Sequence, residues 1–582
     1  MKKIHSFFLA ILLLLLPAAG LSELSDPSNT SISEQNMAAP AATDTGKTIV
    51  GYYAGWAAYR GYTPDQIPAH KLTQINYAFA KIDGDTYKIA LADPNQDKKN
   101  FAALRTLRET YPHLRILISV GGWDYSNYFS DAAATQSNRE VFAQSCVDFI
   151  LEHGLDGVDL DWEYPVSGGL AGNGNRPEDK QNFTLLLTAI RQKLDAQEQK
   201  DGRRYSLTIA GAGSSAYLNK IEPVKVAALV DHIFIMAYDI HGPWDDYADF
   251  NAPLYMPKET SPQHKNSVYD GIQSYLESGV SADKLVMGIP FYGYIYQGVS
   301  AQNNGLYSNW QSAKAITYNA LAERYLSDSA YVQLYHERAE VPYLYGKNTF
   351  ISYDDAASVA KKTALANELG LAGVGFWELS QDFEETLIGS AYDTLSGRWV
   401  NPFRDVGTSD WFYETVRFVH QNGLMAGVGH TSFAPNAPVT RGMFAVLLHR
   451  LEGSPQALKA SSFPDVPKTL YYANAISWAH ENRILLGYEN GKFEPDSPIT
   501  REQAAAILFR YAEYKNYDTK KTASLSAFSD AASISPYALE AMQWAKAAGL
   551  IGGRTETLLA PAQTASRAEA AALMMRFTLW TK

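Results

Sequence analysis

Between residues 47 and 395, short apolar runs alternate eight times with longer amphipathic stretches, and no other feature of the chain constrains its fold as strongly. The runs span 49–53, 74–80, 115–121, 157–163, 206–212, 232–238, 285–291 and 373–379, with helix-like segments such as 139–153, 179–197 and 354–369 between them. Runs that are apolar on both faces belong to strands covered on both sides, as in a parallel sheet wrapped by helices. Eight such units close a barrel, so this segment is expected to be α/β, a (β/α)8 TIM barrel. An open doubly wound sheet is the alternative, disfavoured because no glycine-rich phosphate loop follows the first run. In a barrel the working side chains collect at the C-terminal ends of the strands.

The fourth run reads Asp156-Gly-Val-Asp159-Leu-Asp161-Trp-Glu163-Tyr-Pro. Side chains alternate along a strand, so Asp159, Asp161 and Glu163 share one face at intervals of roughly 6–7 Å, and Val158, Leu160 and Trp162 take the other. Three acids inside a barrel are costly, because burial and mutual repulsion both oppose ionisation. A solvated acidic edge does not suit a strand that is otherwise apolar. A divalent-cation site is disfavoured because no histidine joins the row and Trp162 and Pro165 crowd its exit. General acid catalysis fits, with Glu163 nearest the strand's C-terminal end and its pKa raised by burial and by Asp161.

The pattern Asp156-x-x-Asp159-x-Asp161-x-Glu163 resembles the signature of the family 18 glycoside hydrolases, the chitinases and their relatives. Further matches fall in order: Ser119-Val-Gly-Gly-Trp123 at the third run, Pro177-Glu-Asp-Lys-x-Asn182-Phe after the fourth, Met236-Ala-Tyr238-Asp239 at the sixth, His241-Gly-Pro-Trp244 beyond it, and Gly375-Phe-Trp377-Glu-Leu at the eighth. The resemblance covers about residues 47–395. It implies hydrolysis of β-1,4-linked N-acetylglucosamine chains, chitin and chitooligosaccharides, with retention and without an enzyme nucleophile, since this family uses the substrate's own acetamido group. It needs no metal and no cofactor. By the same mapping Glu163 protonates the leaving oxygen, Asp161 hydrogen-bonds the acetamido nitrogen, and Asp159 shares a proton with Asp161, backed by Tyr52 and Ser119. Tyr238 would bond the acetamido carbonyl, Asp239 would help hold the distorted sugar, Trp377 would floor it, and Met236 would line the pocket. Trp123 and Trp244 would stack on sugars of the leaving group.

Tyr294 stands where many relatives carry Arg, which removes a charged donor. Residues 294–353 are too long for a simple loop and resemble the small α+β insertion that walls the groove in one chitinase subfamily. Two other functions fit the same scaffold: a catalytically silent chitin-binding lectin, disfavoured because all three acids are present, and an endo-β-N-acetylglucosaminidase or wall-glycan hydrolase, disfavoured by Trp123, Trp244 and the insertion.

After residue 395 the sequence repeats. Phe403-Arg-Asp405-Val406, Phe463-Pro-Asp465-Val466 and Phe528-Ser-Asp530 each open a unit, followed by an aromatic helix around Trp411, Trp478 or Trp544 and a glycine-containing loop. Thr440-Arg441, Thr500-Arg501 and Ser566-Arg567 then start an Ala/Leu-rich helix, with Thr or Ser placed to cap it. The units, 400–455, 460–515 and 525–582, resemble S-layer homology modules, which hold bacterial proteins to secondary cell-wall polymers. Arg441, Arg501 and Arg567, cations at helix N-termini, are the candidate ligands for an anionic polymer; pairing with a neighbouring module is the other reading. Unit three has Leu559-Ala-Pro561 in place of the usual Gly-Phe-x-Pro turn.

At the N-terminus Lys2 and Lys3 precede an apolar run from Phe7 to Leu16 and then Pro17-Ala-Ala-Gly20, the pattern of a secretory signal peptide over 1–20. A Ser/Ala/Thr-rich flexible linker over 21–46 follows. The expected location is therefore the surface or wall of a bacterium, Gram-positive in type, with no membrane span in the mature chain. Net charge is −12, and −14 without residues 1–20, so no basic footprint suits nucleic acid. The single cysteine, Cys146, excludes an intramolecular disulfide and reads as a buried helix residue.

Overall fold

The computed structural model describes residues 45–257, 266–429, 431–460 and 462–581. The signal peptide expected over 1–20 and nearly all of the linker lie outside these residues. No helix among the described residues is long and apolar enough to cross a membrane.

Eight parallel strands, numbered here first to eighth in chain order, close into a barrel: Thr48–Ala54, Gln74–Ile82, Arg115–Gly121, Gly157–Asp161, Ser206–Ala212, His232–Met236, Leu285–Pro290 and Gly373–Trp377. The first pairs with both the second and the eighth, which completes the circle. The fourth strand is buried at all five positions, as its doubly covered place requires. Outside the barrel Trp162 stacks on Phe129 at 5.3 Å and meets Phe183 edge-on at 5.4 Å, each ring supplied by a covering helix, Phe129–Ala134 and Asp179–Asp201. Cys146 is a buried free thiol in the helix Gln136–His153.

Three strands end two residues earlier than their apolar runs. The fourth stops at Asp161, the sixth at Met236 and the eighth at Trp377. At the fourth the reason lies in the backbone. Asp161 is the last residue in register with the third strand, and beyond it the Glu163 N–H donates to a side chain, Ser126 Oγ, at 2.9 Å. Apolar patterning continues past the point where strand-to-strand hydrogen bonding has ended.

The insertion forms a five-stranded antiparallel sheet in the order Ser312–Thr317, Tyr292–Gln297, Thr349–Ser352, Val341–Gly346, Val332–His336, with a helix Tyr318–Arg324. It begins at Tyr292, two residues before the position expected, directly after the seventh barrel strand.

The C-terminal repeats each carry two helices: Tyr413–Gln421 and Arg441–Leu451, Ala473–Glu481 and Arg501–Tyr514, Leu539–Ala547 and Arg567–Trp580. Thr440, Thr500 and Ser566 cap the second helix of each pair. The segments before these helices bond in a cycle, Val439 N–H to Ala565 O, Ala565 N–H to Ile499 O and Ile499 N–H to Val439 O, so the three modules form a closed ring. Module three keeps the fold of the other two despite its altered turn. Asp530 accepts the Leu559 and Ala560 N–H groups, as Asp465 accepts those of Phe493 and Glu494 and Asp405 those of Phe433 and Ala434.

Candidate active site

Strand register assembles the base of the site. Ser119 of the third strand and Thr208 of the fifth both stand opposite Asp159 of the fourth. Ser119 Oγ donates to Asp159 Oδ2 at 2.8 Å, Thr208 Oγ1 to Oδ1 at 2.6 Å, and Tyr52 Oη, from the first strand, to Oδ2 at 2.9 Å. Burial raises the Asp159 pKa, and these hydroxyl donors pull it back by favouring the anion. Asp161 has no such support. Its Oδ1 is buried without a hydrogen-bond partner, and its pKa is raised well above the usual carboxylate range by burial first, then by the charges of Glu163 and Asp159. Glu163 is pushed up to about 7, chiefly by burial, with the charges of Asp239 and Asp124 adding to it and a hydrogen bond with Tyr164 opposing. Asp161 and Glu163 also repel one another, as the acid row implies, and Asp239 and Asp124 add further charge from loops after the sixth and third strands.

The acid's backbone is held from two sides. Ser126 Oγ accepts the Glu163 N–H and lies 2.8 Å from Gly122 O and 3.1 Å from Asp161 O, while Asn173 Nδ2 donates to Glu163 O at 3.0 Å. Gly122 has φ +71°, and a Cβ there would sit 2.5 Å from the Phe79 ring, so the sharp turn that brings Ser126 beneath Glu163 requires glycine.

A cleft of about 1080 Å³ opens over these groups, with Asp161, Glu163, Tyr52, Tyr238, Asp239, Met236, Trp123 and Trp377 among its lining residues. Trp377 meets Phe79 at 5.6 Å, Tyr52 at 5.6 Å and Trp56 at 6.4 Å, a cluster that fixes its plane. Trp123 is 49% exposed, an aromatic surface free to meet a ligand. Burial, and then the charge of Asp161, raises the Tyr238 pKa so far that its hydroxyl stays a donor throughout the working pH range. Asp159 and Ser119 lie behind the cleft wall, where Ser119 meets Asp159 and not the open space. Trp244 does not line the cleft; 58% exposed, it meets Tyr294 edge-on at 5.7 Å. Its loop is set by His241 Nδ1 at 2.9 Å from Asp245 Oδ2, and a Cβ on Gly242 would strike the Trp244 ring at 2.3 Å.

The three arginines lie elsewhere, and the surroundings of Arg441 and Arg567 fit the other reading, pairing with a neighbouring module. Arg441 bonds Phe493 O and Leu486 O of module two, Arg501 bonds Leu559 O and Gly552 O of module three, and Arg567 bonds Phe433 O and Ala426 O of module one. Arg441 is 5% exposed and Arg567 6%, each with its guanidinium over a phenylalanine ring of the next module. A buried cation spends its donors on carbonyls that would otherwise be orphaned, so these two side chains are joints between modules. Arg501 keeps an open side. With Trp411, Arg554, Glu569 and Arg576 it lines a groove of about 450 Å³.

Sequence reasoning missed Ser126, Asn173, Thr208, Trp56 and Tyr292. Of these only Trp56, directly after the first strand, carried a signal of type and position.

Comparison with known proteins agrees with this geometry. The glycosyl hydrolases family 18 model matches residues 48–382, and the S-layer homology domain model matches 402–445, 462–505 and 527–571. Chitinase A1 of Niallia circulans is 42% identical over 446 residues, 66% of this chain and 62% of that protein, so the chain spans under two thirds of that relative's length. The structure of chitinase ChiA74 from Bacillus thuringiensis superposes with TM-score 0.58 at 35% identity over 61% of this chain and 70% of that one. Chitinase ChiW from Paenibacillus sp. str. FPU-7, described as a cell-surface-expressed multi-modular enzyme, gives TM-score 0.56 at 36% identity over 60% and 33%. With more than half of its length matched by the family model and the acid row at the foot of its cleft, this chain belongs to the glycosyl hydrolases family 18.

Proposed function

We propose that the protein is a surface-anchored chitinase that cleaves β-1,4 bonds between N-acetylglucosamine residues by substrate assistance, with retention. The observation that carries this reading is the pairing, in one cleft, of an acid whose pKa burial raises, Glu163, with the buried unpartnered acceptor Asp161 Oδ1. Glu163 gives its proton to the glycosidic oxygen as the bond breaks. The acetamido carbonyl oxygen of the same sugar closes on the anomeric carbon, forming an oxazolinium ion, and Tyr238 donates to that oxygen. Asp161 accepts the acetamido N–H and becomes the anion that faces the positive ring. Its proton passes to Asp159, with Tyr52, Ser119 and Thr208 adjusting their bonds. Water, deprotonated by the Glu163 carboxylate, then opens the ring from the side the leaving group vacated, which retains configuration. Asp239 and Trp377 hold the distorted sugar, Met236 lines its pocket, and Trp123, with the exposed Trp244 beyond the cleft lining, takes sugars of the leaving chain.

Anchoring to an anionic secondary wall polymer is supported by the Arg501 groove, where Arg501 and Arg554 both pair with the single carboxylate of Glu569 and Arg576 adds a third cation to the lining. Mass-spectrometric product analysis of chitin hexasaccharide tests the catalytic reading. Short oligomers from the wild type and none from Glu163→Gln are expected; intact hexasaccharide from the wild type overturns it.

A further inference from the structure

The insertion sheet does more than flank the cleft. Tyr292 and Tyr294 sit two residues apart on its first strand, so both side chains take the same face, and both hydroxyls donate to one atom, Asp239 Oδ1, at 2.6 Å each. The loop that carries Asp239 is tied to the same strand by Asn251, which accepts the Asp239 N–H at 2.8 Å and donates through Nδ2 to Tyr292 O at 3.0 Å. Asn251 in turn gives its own N–H to Ser352 Oγ, on the neighbouring insertion strand. Tyr238 meets the Tyr292 ring edge-on at 6.1 Å and Trp244 meets Tyr294 in the same manner. Among the described residues no Lys, Arg or His pairs with Asp239, and its two donors are neutral. A phenol hydrogen bond steadies a carboxylate but does not cancel its charge.

Resting on the assignment of Glu163 as the acid, we propose that Tyr292 and Tyr294 are positioning residues that hold Asp239 as an uncompensated anion beside Glu163, and so set the pH range over which the acid keeps its proton. Asp239 opens to the cleft; burial raises its pKa, and the two hydroxyls draw it back toward the anion. Asp239 and Glu163 line the same cleft, and the Asp239 charge is one of those that raise Glu163. The other ionisable groups facing Glu163 are Asp161 on its own strand, Tyr164 beside it, Asp124 after the third strand, Tyr217 after the fifth and Tyr238 after the sixth. None is a cation. Tyr292 and Tyr294 themselves stay neutral, since burial drives both pKa values far upward.

A cation at position 294 would pair with Asp239 and remove the charge that favours protonated Glu163. The test is a carbon-13 titration of the Glu163 carboxyl in the full chain labelled at glutamate Cδ, with Glu163→Gln to assign the signal, in wild type, Tyr294→Arg, Asp239→Asn and Tyr294→Phe. Tyr294→Arg and Asp239→Asn should each move the midpoint down by about one unit. Tyr294→Phe removes one of the two donors but adds no charge, so its midpoint should fall by less than in Tyr294→Arg. The basic limb of kcat/KM on chitin tetrasaccharide should follow the midpoint in Tyr294→Arg. An unmoved midpoint in Tyr294→Arg, or an equal shift in Tyr294→Phe, overturns the proposal. Absence of tetrasaccharide cleavage by the wild type would instead strike at the hydrolase reading, and the carboxyl titration would still decide the role of the tyrosines.

Discussion

The acid row shows how far a single residue's behaviour follows from its surroundings. Glu163 titrates near 7 in the folded chain because it is buried, against about 4.3 in an unfolded one. A raised carboxyl binds its proton more tightly when folded, so the cost to stability is absent below about pH 4, grows between there and 7, and is complete above 7. Glu163→Gln is therefore expected to stabilise the fold at pH 8 by on the order of 1–3 kcal/mol, seen as a higher melting temperature, and to leave it unchanged at pH 4. Calorimetry at the two pH values checks the sign. Asp161→Asn places an amide where an anion must form, and turnover should fall about a hundredfold or more with the affinity for chitin oligosaccharides largely kept. Steady-state kinetics beside equilibrium binding measures both, and turnover close to wild type would end the role given to Asp161. The row was legible in the sequence because acids at every second position of an apolar strand are a conflict that only chemistry resolves. Thr208 was not, because its partnership with Asp159 depends on the register of two strands 49 positions apart at that contact.

At the scale of elements, the useful lesson is where strands stop. The apolar run and the ladder of backbone bonds part at Asp161, and the two residues between carry the acid out of the sheet. Ser126 replaces the missing neighbour by accepting the Glu163 N–H. Ser126→Ala leaves that buried N–H unpaired, at about 1–3 kcal/mol. The expected outcome is a kcat lowered about tenfold with KM changed less than twofold, because the acid's placement and not sugar binding is lost. A variant that lost affinity and kept kcat would count against this account. Alternation announced eight strands because each is covered on both faces, but nothing in the pattern of a loop such as 122–126 distinguishes a serine under the acid from one in solvent. The insertion was legible by its length, its contact with Asp239 only by its structure.

Across the whole molecule, the arginines that open the second helix of each module were recognised by position, and their partners were not. A cation at a helix start reads equally as a ligand or a brace until the neighbouring carbonyls are seen. Arg567→Ala removes bonds to Ala426 O and Phe433 O and should destabilise the three modules together by about 2–4 kcal/mol. Turnover of soluble oligosaccharides should stay within about twofold of wild type, since no arginine of the ring touches the cleft. A two-transition melt in which only one transition moves is the signature to look for. Removing residues 396–582 should abolish retention on purified walls and spare the hydrolysis of soluble oligosaccharides; a truncated chain that still sedimented with walls would locate the anchor elsewhere.

The circuit of arginines also limits what repetition can do here. In an open stack of repeats, a new copy can be added at either end because the last one always presents an unused face. Module three gives its arginine back to module one, so every module has both a donor and a recipient and the array has no growing end. The number three is then a property of closure, and a fourth copy inserted by duplication would have to break a joint before it could find a place.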